Sequence, residues 1–526
     1  MKTHWKILIA VMVFFGVFTA IWLVNMHMQP ANEVDAYKKA LRDQGEKLEL
    51  SEVTPAPVPP EQNAADAVDD AFRLMSASST GVPSTMRMVA PGKAMAAWTQ
   101  PLVHGLGFTS NDSTNTWDEF AVIVTASRPS LELLQQILAR PKLYFHLEYK
   151  NGFTMLLPRL APLKRSAQAL SAAAVYDLHA GDTGSALTNI CVLLGLVNGE
   201  EDERTIISQL VRYAMASIAA SVTWEFLQST NSTDAQLATL QKSWEQLQFI
   251  GGLKNSLLME RSITADGIEK LRASPADFRK LVGSYSGRTP GGSVSTWPPD
   301  FNAMVDGAKF DAGEVLWRTS WSYSQELHLL QTIQVMLETL RTMQTNSVLK
   351  PDYDTMTSRL SSLGLTNNEG AFFQALNIPN FSDIFGGNNG LSATVLKLMK
   401  MEACRRVVVT AIALKRFQAQ RGHWPDTLAD LTPRFISSVP LDPCDGQPLR
   451  YRPNADGTYL LYSIGEDGVD DGGDAGVTPA SPSSSGVTTA PSLYWQGLHV
   501  RDWVWPQPAT AAEIEKYYAD EAARQK

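Results

Sequence analysis

The sequence predicts a mainly α protein that ends in a small α+β module, with a transmembrane helix ahead of both. Three observations carry that reading. Apolar residues recur at three- and four-residue spacing through most of the region from about Ala64 to Leu398, the period of a helix with one buried face. Short apolar runs parted by Gly, Pro and Asp appear instead after Arg421, as strands and turns require. Ile7 to Val24 is an 18-residue stretch broken only by Thr19 among apolar residues and Gly16, about 27 Å of helix and most of a bilayer core.

Residues 1–30 form the expected anchor. Ile7, Phe14, Phe15, Trp22 and Val24 supply its apolar surface, Trp5 and Trp22 stand where interfacial aromatics belong, and Lys2 and Lys6 precede it. Lysines on the short side favour a cytoplasmic N-terminus with the remainder outside. A cleaved signal would carry a shorter apolar core and a small-residue cleavage site. Residues 31–66 read as a polar and Pro-rich linker. Asn32 to Leu50 makes a polar helix there, and Thr54 to Asn63 an extended spacer.

Residues 67–390 are expected to form a helical domain, interrupted by two irregular stretches. In the clearest unit, Ser166 to Gly199, two apolar stripes flank a Gly181-Asp182 turn; Thr205 to Leu227 continues it, and Ser232 or Thr233 caps the next helix. Without a strict repeat period, an irregular helical bundle and a solenoid-like body both satisfy the pattern. Gly283 to Asp300 reads as a loop, and Trp317 to Leu349 as a long helix with Leu329, Ile333, Met336 and Leu340 on one face. Asn377 to Asn389 is again irregular. Beyond it Leu396, Met399, Ala403, Val407, Thr410, Leu414 and Phe417 draw one stripe along a helix of about seven turns.

Residues 391–476 hold that helix and the α+β module. Gly422 and Pro425 stop the helix. Pro440, Asp442, Pro443 and Gly446 form a turn, and Leu449–Tyr451 and Thr458–Tyr462 read as paired strands joined at Asn454–Gly457. Ser463-Ile464-Gly465-Glu466-Asp467-Gly468 then opens an acidic, glycine-rich loop. This order of parts resembles the globular domain of the major (G-type) pseudopilin of type II secretion, over about 80 of the 526 residues. The resemblance implies a long helix against a small antiparallel sheet, followed by a calcium loop. It places side-chain ligands at Asp467 and Asp474, a carbonyl ligand at Ile464, and a late ligand at Asp502, beside Trp503. Asp470 and Asp471 join the same candidate set, because hard divalent cations take six to eight oxygens on a flexible backbone. A solvated Asp/Gly turn without metal satisfies the same residues. The family's basic leader, processing glycine and early helix glutamate do not precede Ile7, so assembly as a major filament subunit is not expected. The module reads instead as a head displayed by the helical body.

Residues 477–526 comprise a Ser/Pro-rich insertion, a Trp-containing segment and a C-terminal helix that Thr510 can cap. Tyr494, Trp495, Trp503 and Trp505 could stack on sugars or pack the tail onto the sheet. Composition narrows the function further. A net charge of -9 offers no broad basic surface for nucleic acid, and Cys191, Cys404 and Cys444 have no metal-type spacing. No zinc-protease, nucleophile-elbow or P-loop motif occurs. His146 and His179 are isolated candidate bases, Glu200–Glu203 reads as a charged helix start, and Glu260-Arg261 as a local ion pair. The expectation is a non-catalytic envelope protein in the bacterial inner (cytoplasmic) membrane, with most of its chain periplasmic. Its partners are expected to be envelope proteins, including secretion or pilus-like components. A glycan- or peptide-binding module and an unrecognised hydrolase are the alternatives.

Overall fold

Helices with apolar stripes need neighbours to cover them, and here they cover one another. A computed structural model describes residues 28–75, 82–83, 85–106, 114–286, 301–363, 387–476 and 501–524. The anchor residues Ile7, Phe14, Phe15, Trp22 and Val24 lie outside the described residues, as do Tyr494 and Trp495. The described residues are mainly helical, 67% helix, which fits the expected mainly α class.

In chain order it runs through α1 (28–43), α2 (Leu50–Val53) and α3 (Ala65–Met75). Five strands follow: β1 (Val82–Pro83), β2 (Arg87–Ala90), β3 (Lys93–Met95), β4 (Val103–Leu106) and β5 (Thr114–Asn115). These strands correct the expectation that the 67–390 domain is helical outside its irregular stretches. At two to four residues each, they are too short to show an alternating pattern. The helical body comprises α4 (Trp117–Leu134), α5 (Leu160–His179), α6 (Thr183–Gly199), α7 (Ile206–Leu227), α8 (Asp234–Glu245) and α9 (Phe249–Ala273). It continues in α10 (Pro275–Ser286), α11 (Phe301–Leu316), α12 (Ser322–Thr345), α13 (Lys350–Ser362) and α14 (Gly387–Arg421). Thus Gly283–Ser286 is helical rather than loop, and α14 starts within the stretch expected to be irregular. Last come β6 (Arg450–Pro453), β7 (Tyr459–Ser463), β8 (Trp503–Val504), β9 (Gln507–Pro508) and α15 (Ala511–Arg524).

Side-chain caps set several helix starts. The carboxylate of Asp182 accepts from the Ser185 amide at 2.9 Å after the left-handed Gly181, opening α6. Thr205 opens α7, and a reciprocal Thr233–Gln236 box opens α8, so Thr233 and not Ser232 is the cap. Helix α7 is long and apolar enough to cross a membrane, yet 72% of its most apolar window is buried inside the protein; here it is a core helix. The described strands form three small sheets, in the orders β1-β4-β5, β2-β3-β9 and β6-β7-β8. All pairs are antiparallel except β3–β9.

One apolar cluster runs from Ala64 to Trp505, taking in α5–α9, α12–α14 and the sheet residues Leu461 and Trp503. Helix α14 packs on α7, α8, α9, α13 and β7. The boundary expected between body and head at 390/391 is therefore not a boundary of the core.

Residues 31–66 are docked as well. Val34 and Leu41 are buried, and the peptide of Asn63 bridges to Lys142. Buried Glu46 accepts from Arg261 at 2.9 Å, Gln334 at 3.1 Å and Arg341 at 2.5 Å. Burial alone would raise this carboxyl, but the bonds from Arg341, Arg261 and Gln334 outweigh it and hold it at about 2. Arg261 thus serves α1–α2 and not its neighbour Glu260, whose carboxylate accepts from the Ile206 amide at 3.2 Å.

Three further carboxyls are sealed in the core. The Glu200–Glu203 segment, expected to be a solvated helix start, forms a 3-10 turn with Glu200 at 0% and Glu203 at 6% exposure. Burial, then the neighbouring Glu203 charge, pushes the Glu200 carboxyl well above the usual range. Glu225 ties the β2–β3 hairpin to α7, accepting from Met86 N at 2.6 Å and Ala97 N at 2.9 Å. Burial raises it to about 7 in spite of these donors.

Two predictions follow from these carboxyls. Glu46→Ala strands the buried Arg261 guanidinium and should cost about 3–5 kcal/mol in urea unfolding, whereas Arg42→Ala, whose partners Glu49 and Glu52 face solvent, should leave the urea midpoint nearly unchanged. Glu225, with a folded value raised above its ordinary 4.5, contributes stability that is full below 4.5 and is lost as pH rises through about 7. The melting temperature should therefore fall between pH 5.5 and pH 8, and Glu225→Gln should flatten that slope.

Candidate functional site

The acidic loop hangs on one aspartate that the sequence marks only as part of a turn. Asp442 is wholly buried. Its Oδ1 accepts from Cys444 N at 2.9 Å and Ser463 Oγ at 2.8 Å, and its Oδ2 from Ile464 N at 2.9 Å. Arg450 Nη1 stands 3.6 Å away. The turn before β6 is thereby bonded to the strand end that launches the loop. Ile464 itself is buried, with its amide spent on Asp442.

The loop doubles back at Gly465, φ +77°, where an added Cβ would lie 2.2 Å from the Arg501 carbonyl oxygen. Only glycine permits that approach. Pairing of Ser463 with Trp503 and Tyr462 with Val504 then brings residues 501–505 alongside. Asp502, separated from the loop by the 477–500 segment, arrives beside it in this way. Its Oδ2 accepts from Gly473 N at 2.7 Å, and its own N–H donates to the Asp474 carbonyl at 3.1 Å. Asp502 has no exposed surface, and its Oδ1 has no hydrogen-bond partner. Burial raises its carboxyl to about 6 against the pull of the Gly473 and Asp471 amides, and the charges of Asp470 and Asp471 add to the rise.

The other expected ligands are committed elsewhere. Exposed Asp467 accepts from Val469 N at 3.1 Å in a local turn. Asp470 accepts from Tyr462 Oη at 2.9 Å and Arg450 Nε at 3.2 Å. Asp474 accepts from Gly476 N at 2.8 Å and pairs with Arg501 at 2.6 Å. Asp471 is exposed. Among the described residues no three His, Cys, Asp or Glu side chains converge as a metal-holding group. Of these residues Asp502 keeps a buried carboxylate oxygen without a hydrogen bond, while the Asp467 carboxylate accepts within its own turn. Engaging Asp474 would require Arg501 to let go.

The expected aromatic patch divides. Trp503 and Trp505 are 1% and 3% exposed and belong to the core, so they pack the tail onto the sheet and present no ring face to a sugar. His179 stacks on Trp117 with ring centres 3.7 Å apart and its Nδ1 2.9 Å from the Trp98 carbonyl. His146 holds a left-handed backbone, φ +47°, with its ring beside Tyr144. Cys191, Cys404 and Cys444 are all buried free thiols, and burial pushes Cys404 up to about 12. Searches with this chain return no matching family model, no matching curated protein and no matching solved structure.

Asp442→Ala should leave two buried amides and the Ser463 hydroxyl without their acceptor, at about 1–3 kcal/mol for each group left unpaired. Hydrogen exchange should then accelerate at Cys444, Ile464 and the β7–β8 pair, and the α5–α6 amides that exchange through global opening should lose protection by a similar free energy.

Proposed function

We propose that this chain is a membrane-anchored, extracytoplasmic envelope protein that acts through protein–protein contact and not through catalysis. It sits in the bacterial inner membrane, with the anchor in residues 1–30 and a module similar to a G-type pseudopilin at its far end. The observation that supports this most is the docking of α1. The apolar stretch Ile7–Val24 is followed at once by a helix clamped to the body through Glu46, Arg261 and Arg341. Lys38 adds to that clamp by pairing with Glu269 at 2.5 Å and with Glu326. A body docked on the helix that follows the apolar stretch in sequence would stay close to the membrane surface, as suits a protein that presents surfaces to neighbours. The pseudopilin-like reading is supported by the order of long helix, buried aspartate turn, β6–β7 hairpin, acidic loop and late Asp-Trp pair, and it points to secretion or pilus-like components as partners.

Calcium binding at the acidic loop belongs to the same proposal, carried by the buried Asp502 oxygen beside the Asp470 and Asp471 charges. Asp502 would hold the ion, with the Asp474 segment beside it.

Two experiments test these readings. After carbonate extraction of cell membranes the full chain should stay in the membrane pellet, and the Phe14→Asp, Phe15→Asp double variant should move to the supernatant; a soluble unaltered chain would sink the location. Calcium at millimolar concentration should raise the melting temperature by several degrees and chelator should reverse it, while Asp502→Asn should lose the response. An unchanged response in that variant would assign calcium elsewhere.

A further inference from the structure

The C-terminal helix α15 is seated differently from every other long element. It is helical from Ala511, closed by a reciprocal Thr510–Glu513 box, yet none of its described residues is buried. It has no place in the main core. Charge and aromatic contacts hold it instead to the β2–β4 region. Glu521 accepts from Arg87 at 2.8 Å, Tyr517 Oη accepts from Arg87 Nε at 3.1 Å, and the Arg87 guanidinium lies 5.3 Å from the Tyr517 ring centre. Glu513 pairs with Lys93. The Tyr518 ring lies 5.3 Å from that of His104. Arg87 and His104 also line a shallow depression, together with Met95, Gln100 and Trp117. The surface under α15 is therefore cationic and aromatic, with an apolar floor, and the helix on it is acidic and carries two tyrosines.

Such a contact is weak where it matters. The Lys93–Glu513 pair is about a third exposed on each side, and partly exposed ion pairs are screened by salt and add little, while a released 14-residue helix has no strong tendency to persist alone. By contrast, the segment just before it is fixed. Gln507 N donates to Gly92 O, Ala509 N to Ala94 O, and Trp224 Nε1 to Pro506 O at 2.7 Å. Release would therefore stop at Thr510.

We propose that α15 is a displaceable latch, covering in cis a docking surface on β2–β4 for an acidic, tyrosine-bearing amphipathic helix of a partner protein. The charge complementarity of Arg87 and Lys93 with Glu513 and Glu521 defines the partner's chemistry, and local opening of a marginally held element supplies access. The inference rests on the protein–protein reading above and adds the surface. Its assay needs no membrane, so failure of the location and failure of the latch are distinguishable.

The test uses the detergent-solubilised full chain and a fluorescent peptide of residues 509–526 as probe. In the unaltered chain, α15 amides should exchange at least about a hundredfold faster than those of α14. The Glu513→Lys, Glu521→Lys variant should bind the peptide at least tenfold more tightly than the unaltered chain, at an unchanged melting temperature. Adding Arg87→Glu and Lys93→Glu should abolish peptide binding and return α15 exchange to its rate in the unaltered chain by re-forming the pairs with reversed sign. Protection of α15 equal to that of α14, or peptide binding indifferent to the latch charges, would overturn the proposal. So would a dimer of the unaltered chain that disperses on the Glu513→Lys, Glu521→Lys change, since a second copy would then be the occupant.

Discussion

Helix α14 is the constraint on which the rest of this structure depends. Val395, Leu398, Ala403, Cys404, Val407, Val408, Ala411, Ile412, Ala413 and Leu414 are all essentially without exposed surface, so the helix is apolar nearly all round through its middle. A helix of that kind cannot lie on a surface; it must be enclosed. The enclosing elements come from both sides of it in sequence, α7, α8, α9 and α13 before and β7 after. Its alanines let the neighbours approach, and its charges are spent locally. Glu402 pairs with Arg405 and Arg406, and Arg406 donates to the carbonyls of Ser347 and Leu441 at 2.7 Å each. These last two bonds tie the α12–α13 connection to the turn that carries Asp442. Body, turn and acidic loop are positioned by one element.

This changes what the resemblance proposed for the C-terminal segment would mean. A head displayed on a stalk would own its core, and its long helix would be covered by its own sheet. In this chain the sheet covers one part of α14 and the helical body the remainder. The surfaces available to partners are consequently those of the whole body, including the basic-aromatic face beneath α15, and the acidic loop is one edge of that body.

What the sequence disclosed follows from how local each signal is. The α5–α6 hairpin was legible because Gly181 and Asp182 punctuate two clear stripes, and the stripe of α14 was legible because Leu396 to Phe417 keep their spacing for six turns or more. The stripe shows one buried face, however, and could not show that Val408 and Ala413, off that face, are buried too. Strands β1–β5 were not legible, since two to four residues set no period. Burial of Glu200, Glu203, Glu225 and Glu46 was hidden because a charge in sequence looks solvated until tertiary structure supplies donors or withholds water. Asp502 was legible as a candidate by resemblance alone; its arrival beside Gly473 depends on strand pairing across residues 477–500. Asp442 carried its signal in plain view, as an aspartate between two prolines, but only the fold shows that three donors converge on it.

The claim that α14 makes one cooperative unit of body and C-terminal sheet is tested most directly by native-state hydrogen exchange along a urea gradient, read at α5–α7 and at β6–β7 in the full chain. Shared cores should open together. The account predicts that amides of Ala172, Leu193 and Val222 reach a common free energy and denaturant slope with those of Leu460 and Leu461. A separate, lower isotherm for β6–β7, with α14 remaining protected, would show that the sheet is an independent head and would contradict it.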